Sequence, residues 1–129
     1  MIQISADLNG YRLQCVIAFL SLGFEQARAQ VFAGERPAFG ETPPGPLLAS
    51  IVLEKPLGTV DAGILTLTPT NEALILVTGV ASWARIVNGN GVLAWDCDVS
   101  EIDGGGELQL PTTMLYAGGT TRILSGTLG

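Results

Sequence analysis

The sequence predicts a mainly β protein, an antiparallel and jelly-roll-like β-sandwich of about eight strands with one N-terminal helix. Three observations indicate this class. Apolar residues recur at convincing helical spacing in only one segment, near the N-terminus. The chain after Gly23 reads as short β-prone segments. Turn residues separate these segments, in keeping with 17 Gly and 7 Pro among 129 residues.

The length is that of one domain, so residues 1–129 are assigned to a single β-sandwich. Residues 1–4 alternate apolar and polar side chains and are expected to form an N-terminal arm. Residues 8–22 are predicted to form the helix, with Ser5 or Asp7 as its cap and Gly23 as its stop.

The helix is apolar around much of its circumference, which predicts contact with more than one surface. Its main stripe comprises Leu8, Tyr11, Cys15, Phe19 and Leu22. The residues that widen this stripe are Leu13, Val16, Ile17 and Leu20.

Eight segments are predicted to be strands because β-prone residues lie between turn residues. They are residues 26–33, 47–54, 64–68, 73–78, 80–87, 92–99, 107–110 and 120–128. Residues 34–46 hold prolines at positions that exclude strand pairing, Pro43 and Pro44 among them, and are predicted to form a long extended loop.

The strongest local signal is a hairpin around Asn88-Gly89-Asn90-Gly91, because Asn-Gly suits the two positive-φ positions of a type I′ turn. An even loop length of two or four residues fixes which side chains share a face. The face predicted to enter the core comprises Val80, Ser82, Ala84, Ile86, Leu93, Trp95, Cys97 and Val99. The other face comprises Ala81, Trp83, Arg85, Val87, Val92, Ala94, Asp96 and Asp98, which leaves Trp83 outside.

Composition excludes several classes of function. Six basic residues against twelve acidic ones exclude a basic nucleic-acid footprint, and the absence of His removes the commonest general base and metal ligand. No nucleophile elbow or phosphate-binding loop is present. We therefore expect a non-enzymatic protein with no catalytic residues, no cofactor and no direct contact with nucleic acid.

Acidic residues offer the only metal-binding alternatives. Asp96 and Asp98 share a strand face with Arg85, which favours a solvated cross-strand charge cluster over a cation site. Glu101, Asp103 and Glu107 surround three glycines, but their spacing matches no calcium-binding loop. We predict no metal site.

Cys15 and Cys97 are expected to be buried free thiols, which indicates a reducing compartment. No run reaches the roughly 18 apolar residues of a membrane-spanning helix, and the apolar run in the first helix lacks the basic segment of a signal peptide. We expect a soluble, unprocessed protein that does not contact a membrane.

The run from Ala73 to Val77 is apolar on both faces of any strand, which leaves two interpretations open. It is either a central buried strand or a surface that contacts another subunit. Only 14% of the residues are charged, which favours a protein with apolar surface. The candidate interface residues are Met1, Ile2, Ile4, Pro43, Pro44, Leu74, Ile75, Leu76, Val77 and Trp83.

The segment from Thr78 to Ile86 has the form T-G-x-A-x-W-x-R-I and leads through a polar Gly turn to Asp96-Cys97-Asp98-Val99. In this it resembles small virion proteins of tailed bacteriophages. The helix, the following Arg36-Pro37 and the segments 47–56 and 62–66 are similar to the same group.

The resemblance implies a structural phage protein, made in the host cytoplasm and located in the virion. The task it implies first is capsid cementing or decoration, with the major capsid protein and copies of the same chain as partners. A tail or baseplate adaptor or a receptor-binding component is the alternative. A lectin-like carbohydrate-binding domain is a more distant one, because one exposed Trp is a poor sugar platform.

Overall fold

The computed structural model describes residues 3–23, 25–54 and 57–128, and within them it is mainly β with one helix, as predicted. Met1 and Ile2 of the predicted arm lie outside the described residues. The elements are α1 (Ala6–Leu20), β1 (Arg28–Ala33), β2 (Leu47–Val52), β3 (Gly58–Asp61), β4 (Ile64–Leu67), β5 (Ala73–Leu74), β6 (Gly79–Val87), β7 (Leu93–Glu101), β8 (Leu108–Leu110), β9 (Met114–Leu115), β10 (Thr120–Thr121) and β11 (Ser125–Leu128).

Eight strands form one large curled sheet, a half-barrel with the order β2-β1-β6-β7-β8-β11-β4-β3. β9 adds to β6, and β10 pairs with β5 in a separate small sheet. The large sheet is mixed because β7 and β8 run parallel, which departs from the predicted antiparallel arrangement. The finer prediction of a jelly-roll sandwich is not confirmed by this strand order.

The helix α1 begins and ends two residues earlier than predicted, and Ser5 is its cap, since the Ser5 hydroxyl accepts a hydrogen bond from the Leu8 amide at 3.1 Å. Leu13 and Leu20 are buried in the core, and Val16 and Ile17 pack against it. The core side of α1 is thus formed mainly by the residues that were expected only to widen its apolar stripe, and Phe19 of the main stripe also packs against the core.

The doubling back of the chain between β7 and β8 requires Gly104 and Gly106. A Cβ on Gly104 would lie 2.8 Å from the Cβ of Ser100, and one on Gly106 would lie 2.8 Å from the Ser100 amide nitrogen. The Gly106 amide donates a hydrogen bond to the Ser100 hydroxyl at 3.0 Å. This close approach lets a very short connection join two parallel strands, where a dozen or more residues are usual.

The two tightest turns differ from expectation. In the predicted hairpin only Gly91 has positive φ, and the Asn88 amide donates to the Val92 carbonyl, which gives a three-residue loop. The type I′ geometry occurs instead between β3 and β4, where Ala62 and Gly63 have φ of 51° and 78°. Ala62 therefore occupies a left-handed conformation that favours glycine.

Candidate protein interface

The run from Ala73 to Val77 is divided between core and surface. Leu74 and Leu76 are 57% and 52% exposed, whereas Ile75 between them is only 4% exposed. Backbone pairing fixes this alternation, because Ile75 bridges to Ala49 of β2 and the Leu76 amide donates to the Leu48 carbonyl at 2.7 Å. The prediction of Ile75 as an interface residue is wrong, since its side chain fills the core.

Three further apolar side chains extend this surface. Val80 of β6 pairs with Met114 of β9, and their side chains are 54% and 37% exposed. Tyr116 follows β9 and is 63% exposed, and the next amide, that of Ala117, donates to the Thr78 hydroxyl. We call the exposed side chains of Leu74, Leu76, Val77, Val80, Met114 and Tyr116 the β5–β9 patch.

The β5–β9 patch lies in two segments that contain no charged residue. Residues 73–80 and residues 111–121 hold none of the six basic and twelve acidic side chains of the chain. Its six side chains expose on the order of 600 Å², the upper end for the largest apolar patch of a typical monomer. A surface of this kind favours contact with an apolar partner over attraction of a charged one.

Half of this surface does not follow from the sequence pattern. Strand alternation predicts Val80 on the core face, and it does not select Met114 or Tyr116. The signal that was present is the apolar triplet Met114-Leu115-Tyr116 within a charge-free segment. Only the pairing of β9 with β6 shows that this triplet lies beside the run from Ala73 to Val77.

Ile4 and the prolines are at or near the surface as expected. Ile4 is 42% exposed, Pro44 is exposed and Pro43 is half-buried. A Cβ on Gly45 would lie 2.5 Å from the Ala33 carbonyl oxygen, and Ala33 pairs with Ala81 next to Val80. The end of the proline-rich loop therefore lies at the same end of β1 as the β5–β9 patch.

Trp83 is buried, with 1% exposure, which corrects its placement on the outside. Its ring stacks on Phe32 with centroids 4.6 Å apart, and the Arg85 guanidinium lies 5.3 Å from the ring centroid. Trp83 is thus part of a covered sheet face and is not available as an interface or sugar-binding side chain.

A bulge in β6 explains why the predicted alternation fails at its start. Phe32 pairs with Trp83 but the next residue, Ala33, pairs with Ala81, so Ser82 is an extra residue in β6. Beyond the bulge Ala81 turns into the core and Val80 turns outward, opposite to the prediction. Ala84, Ile86, Cys97 and Val99 are buried on the predicted core face.

Arg85 and Asp96 form a buried ion pair, which corrects the expected solvated cluster. The Arg85 Nε and Nη2 atoms donate to the two Asp96 carboxylate oxygens at 2.8 and 3.1 Å. The side chains are only 11% and 4% exposed. Hydrogen bonding to Asp96 raises the pKa of Arg85, so the guanidinium remains charged. Asp98, by contrast, is largely exposed, and its Oδ1 atom lies 3.4 Å from the Arg36 Nη1 atom.

The two cysteine thiols differ in their exposure to solvent. Cys97 is buried as expected, and burial, with the negative charge of Glu107 as a smaller cause, raises the pKa of its thiol to about 12. Cys15 is exposed, which corrects the prediction that both are buried. Within residues 3–23, 25–54 and 57–128, no group of three or more His, Cys, Asp or Glu side chains is placed to hold a metal ion.

In comparisons with protein-family models, with curated proteins and with solved structures, the chain matched none of them significantly. Among the described residues, α1 is too short to cross a membrane.

Proposed function

We propose that the chain is a non-enzymatic structural protein of a tailed-bacteriophage virion that binds the outside of the capsid and cements neighbouring major capsid subunits. The observation that carries the proposal is the β5–β9 patch, an exposed apolar surface whose two segments contain no charged residue, on a protein with a net charge of −6. The sequence resemblance of residues 78–99 to small phage virion proteins supplies the identity of the partner.

A cement protein acts by adding buried area across the joints between capsid subunits. Stable interfaces bury about 800 Å² on each partner, so the β5–β9 patch supplies most of one contact. The proline-rich loop and Ile4 are the further contact regions that the sequence proposes. Residues in proline-rich loops lose little conformational freedom on binding, which favours their use at an interface.

Co-sedimentation with expanded capsids of the phage whose genome carries this sequence tests the proposal. We expect saturable binding of the wild-type protein and at least a tenfold loss of affinity for the double variant Leu74→Asp and Leu76→Asp, because two buried carboxylates would lack partners. The matched control is Ile102→Asp, since Ile102 is 60% exposed and lies outside the β5–β9 patch.

Thermal unfolding of each variant separates loss of binding from loss of folding. Wild-type protein that stays in the supernatant would contradict capsid cementing, and binding to purified tails alone would favour the tail or baseplate alternative. If both the double variant and the control still bind capsids, the capsid interface lies outside the β5–β9 patch.

A further inference from the structure

The helix α1 has a second apolar face that points away from the core. At about 100° per residue, the set Leu8, Tyr11, Cys15, Phe19 and Leu22 is centred roughly 150° around the helix from the core-facing set Leu13, Val16, Ile17 and Leu20, and Phe19 lies at its edge, against the core. We call the first set the helix stripe. Leu8, Tyr11 and Leu22 are 50%, 75% and 53% exposed, Cys15 is exposed and Phe19 is half-buried. Leu22 lies two residues beyond Leu20, the last helical residue, and follows the C-cap Ser21.

The spacing of the helix stripe is symmetric about Cys15. Leu8 and Leu22 are each seven residues from Cys15, and Tyr11 and Phe19 are each four residues from it. A seven-residue apolar repeat is the spacing of a helix that packs along another helix. A two-fold axis at Cys15 pairs each residue with the one equally far on the other side of Cys15 in the second copy. With this spacing, every residue of the helix stripe therefore meets another residue of the stripe.

We infer that two copies of the chain associate through α1 in antiparallel orientation, with the two-fold axis at Cys15. Leu8 then lies opposite Leu22 of the second copy, and Tyr11 lies opposite Phe19 of the second copy. The two Cys15 side chains meet at the centre. This inference does not depend on the capsid proposal, because it concerns a different surface and a different partner.

Charge favours a second copy as the occupant. α1 contains one acidic residue, Asp7, and one basic residue, Arg12, so the helix is neutral on a protein with a net charge of −6. Two copies that meet through α1 therefore bring together two helices that carry no net charge. Antiparallel packing also places the opposite ends of the two helix dipoles next to each other.

A groove beside α1 provides space for an aromatic side chain of the second copy. This groove has a volume of about 350 Å³ and lies between α1 and β7, where Cys15, Phe19, Leu93 and Trp95 line it. Phe19 is the residue that faces Tyr11 of the second copy. The phenol ring of each Tyr11 therefore enters the groove of the other copy, which adds contact area beyond the two helices.

Oligomeric state is the first test. Sedimentation velocity from 1 to 200 μM should show a reversible dimer of the full chain. Leu8→Glu with Tyr11→Glu should raise the dimer dissociation constant at least tenfold, since both side chains are exposed and their replacement leaves the core intact. Gln14→Glu, on the flank of the same helix, is the matched control and should dimerise like the wild type. A protein that remains monomeric at 200 μM contradicts the inference.

Disulfide trapping tests the orientation. With diamide as oxidant, two thiols lose two electrons and two protons to the diamide and form one disulfide. We expect covalent dimers from the wild type through Cys15, and none from Cys15→Ser or from Cys15→Ser combined with Leu8→Cys. Equal trapping at position 8 would indicate parallel helices and overturn the inference. Trapping that persists unchanged in Leu8→Glu with Tyr11→Glu would show random collision and would also overturn it.

Discussion

The β5–β9 patch and the sheet face around Trp83 both contain large apolar side chains, yet only the side chains of the β5–β9 patch are exposed to solvent. On the sheet face, Phe32 stacks on Trp83 and the Arg85–Asp96 pair is buried beside it. In the β5–β9 patch, the Leu74 and Leu76 side chains lie on the uncovered side of their segment, whereas Ile75 between them is buried in the core. The comparison shows that the cover over a face, more than hydropathy, determines which apolar residues are available to a partner.

The largest expected effect concerns the Arg85–Asp96 pair on the sheet face around Phe32 and Trp83, which we call the closed face. Asp96→Ala should lower the free energy of unfolding by about 3–5 kcal/mol, because it leaves the Arg85 charge buried without a partner. Asp98→Ala should cost at most about 1 kcal/mol, since Asp98 is 61% exposed in its pair with Arg36. Urea unfolding of both variants at pH 7 measures the difference, and equal losses would contradict the closed-face description.

Adjacent residues of the run from Ala73 to Val77 should differ in the same experiment. Ile75→Ala should cost about 2–5 kcal/mol because it empties a core position. Leu76→Ala should change stability by no more than about 0.5 kcal/mol, since the Leu76 side chain has solvent on one side. A large loss for Leu76→Ala would show that this side chain is part of the core and would remove it from the β5–β9 patch.

Cys97 reports on whether the core beneath the closed face excludes charge. Its pKa is raised in the folded state from 9.0 to about 12, so between these pH values the unfolded chain releases a proton that the folded chain keeps. The contribution of the neutral Cys97 thiol to the free energy of unfolding is therefore fully present below pH 9 and is lost as pH rises towards 12.

The expected extra loss is at most about 1.4 kcal/mol per pH unit. Chemical denaturation from pH 7 to 11 should show a steeper decline for the wild type than for Cys97→Ala, which lacks the thiol. Parallel declines for the two proteins would indicate that the Cys97 thiol is hydrated.

The smallest expected effect lies outside both regions, at the turn between β3 and β4. Ala62→Gly should raise the free energy of unfolding by about 0.5–1 kcal/mol, because relief of the left-handed conformation exceeds the added entropy of the unfolded chain. Ala62→Val should lower it, since a branched side chain tolerates positive φ poorly. The thermal midpoints of the two variants should therefore move in opposite directions, and a common direction would contradict the turn assignment.

Much of the fold follows from local signals in the sequence. The helix between Ser5 and Gly23, the hairpin of β6 and β7, and the burial of Ala84, Ile86, Cys97 and Val99 all follow from periodicity and turn residues. The reversed faces of Val80 and Ala81 have one cause. The bulge at Ser82 reverses the alternation at the start of β6, and no residue type in the sequence marks that extra residue.

The candidate site was predictable only in part, because it is assembled from distant segments. Leu74, Leu76 and Val77 were found from their own hydropathy. Met114 and Tyr116 join them through the pairing of β9 with β6, a long-range contact that local periodicity does not encode. Similarly, the helix stripe was found from its spacing, but which of the two apolar faces of α1 meets the core depends on the sheet against which α1 packs.

Hydrogen–deuterium exchange of the protein bound to capsids tests the central claim directly, since it compares the two regions in one experiment. We predict that protection increases in residues 73–80 and 111–121, which carry the β5–β9 patch, and stays unchanged in residues 96–98, which lie beside Trp83 and Arg85. Increased protection confined to residues outside 73–80 and 111–121 would contradict the claim that a capsid subunit covers the β5–β9 patch.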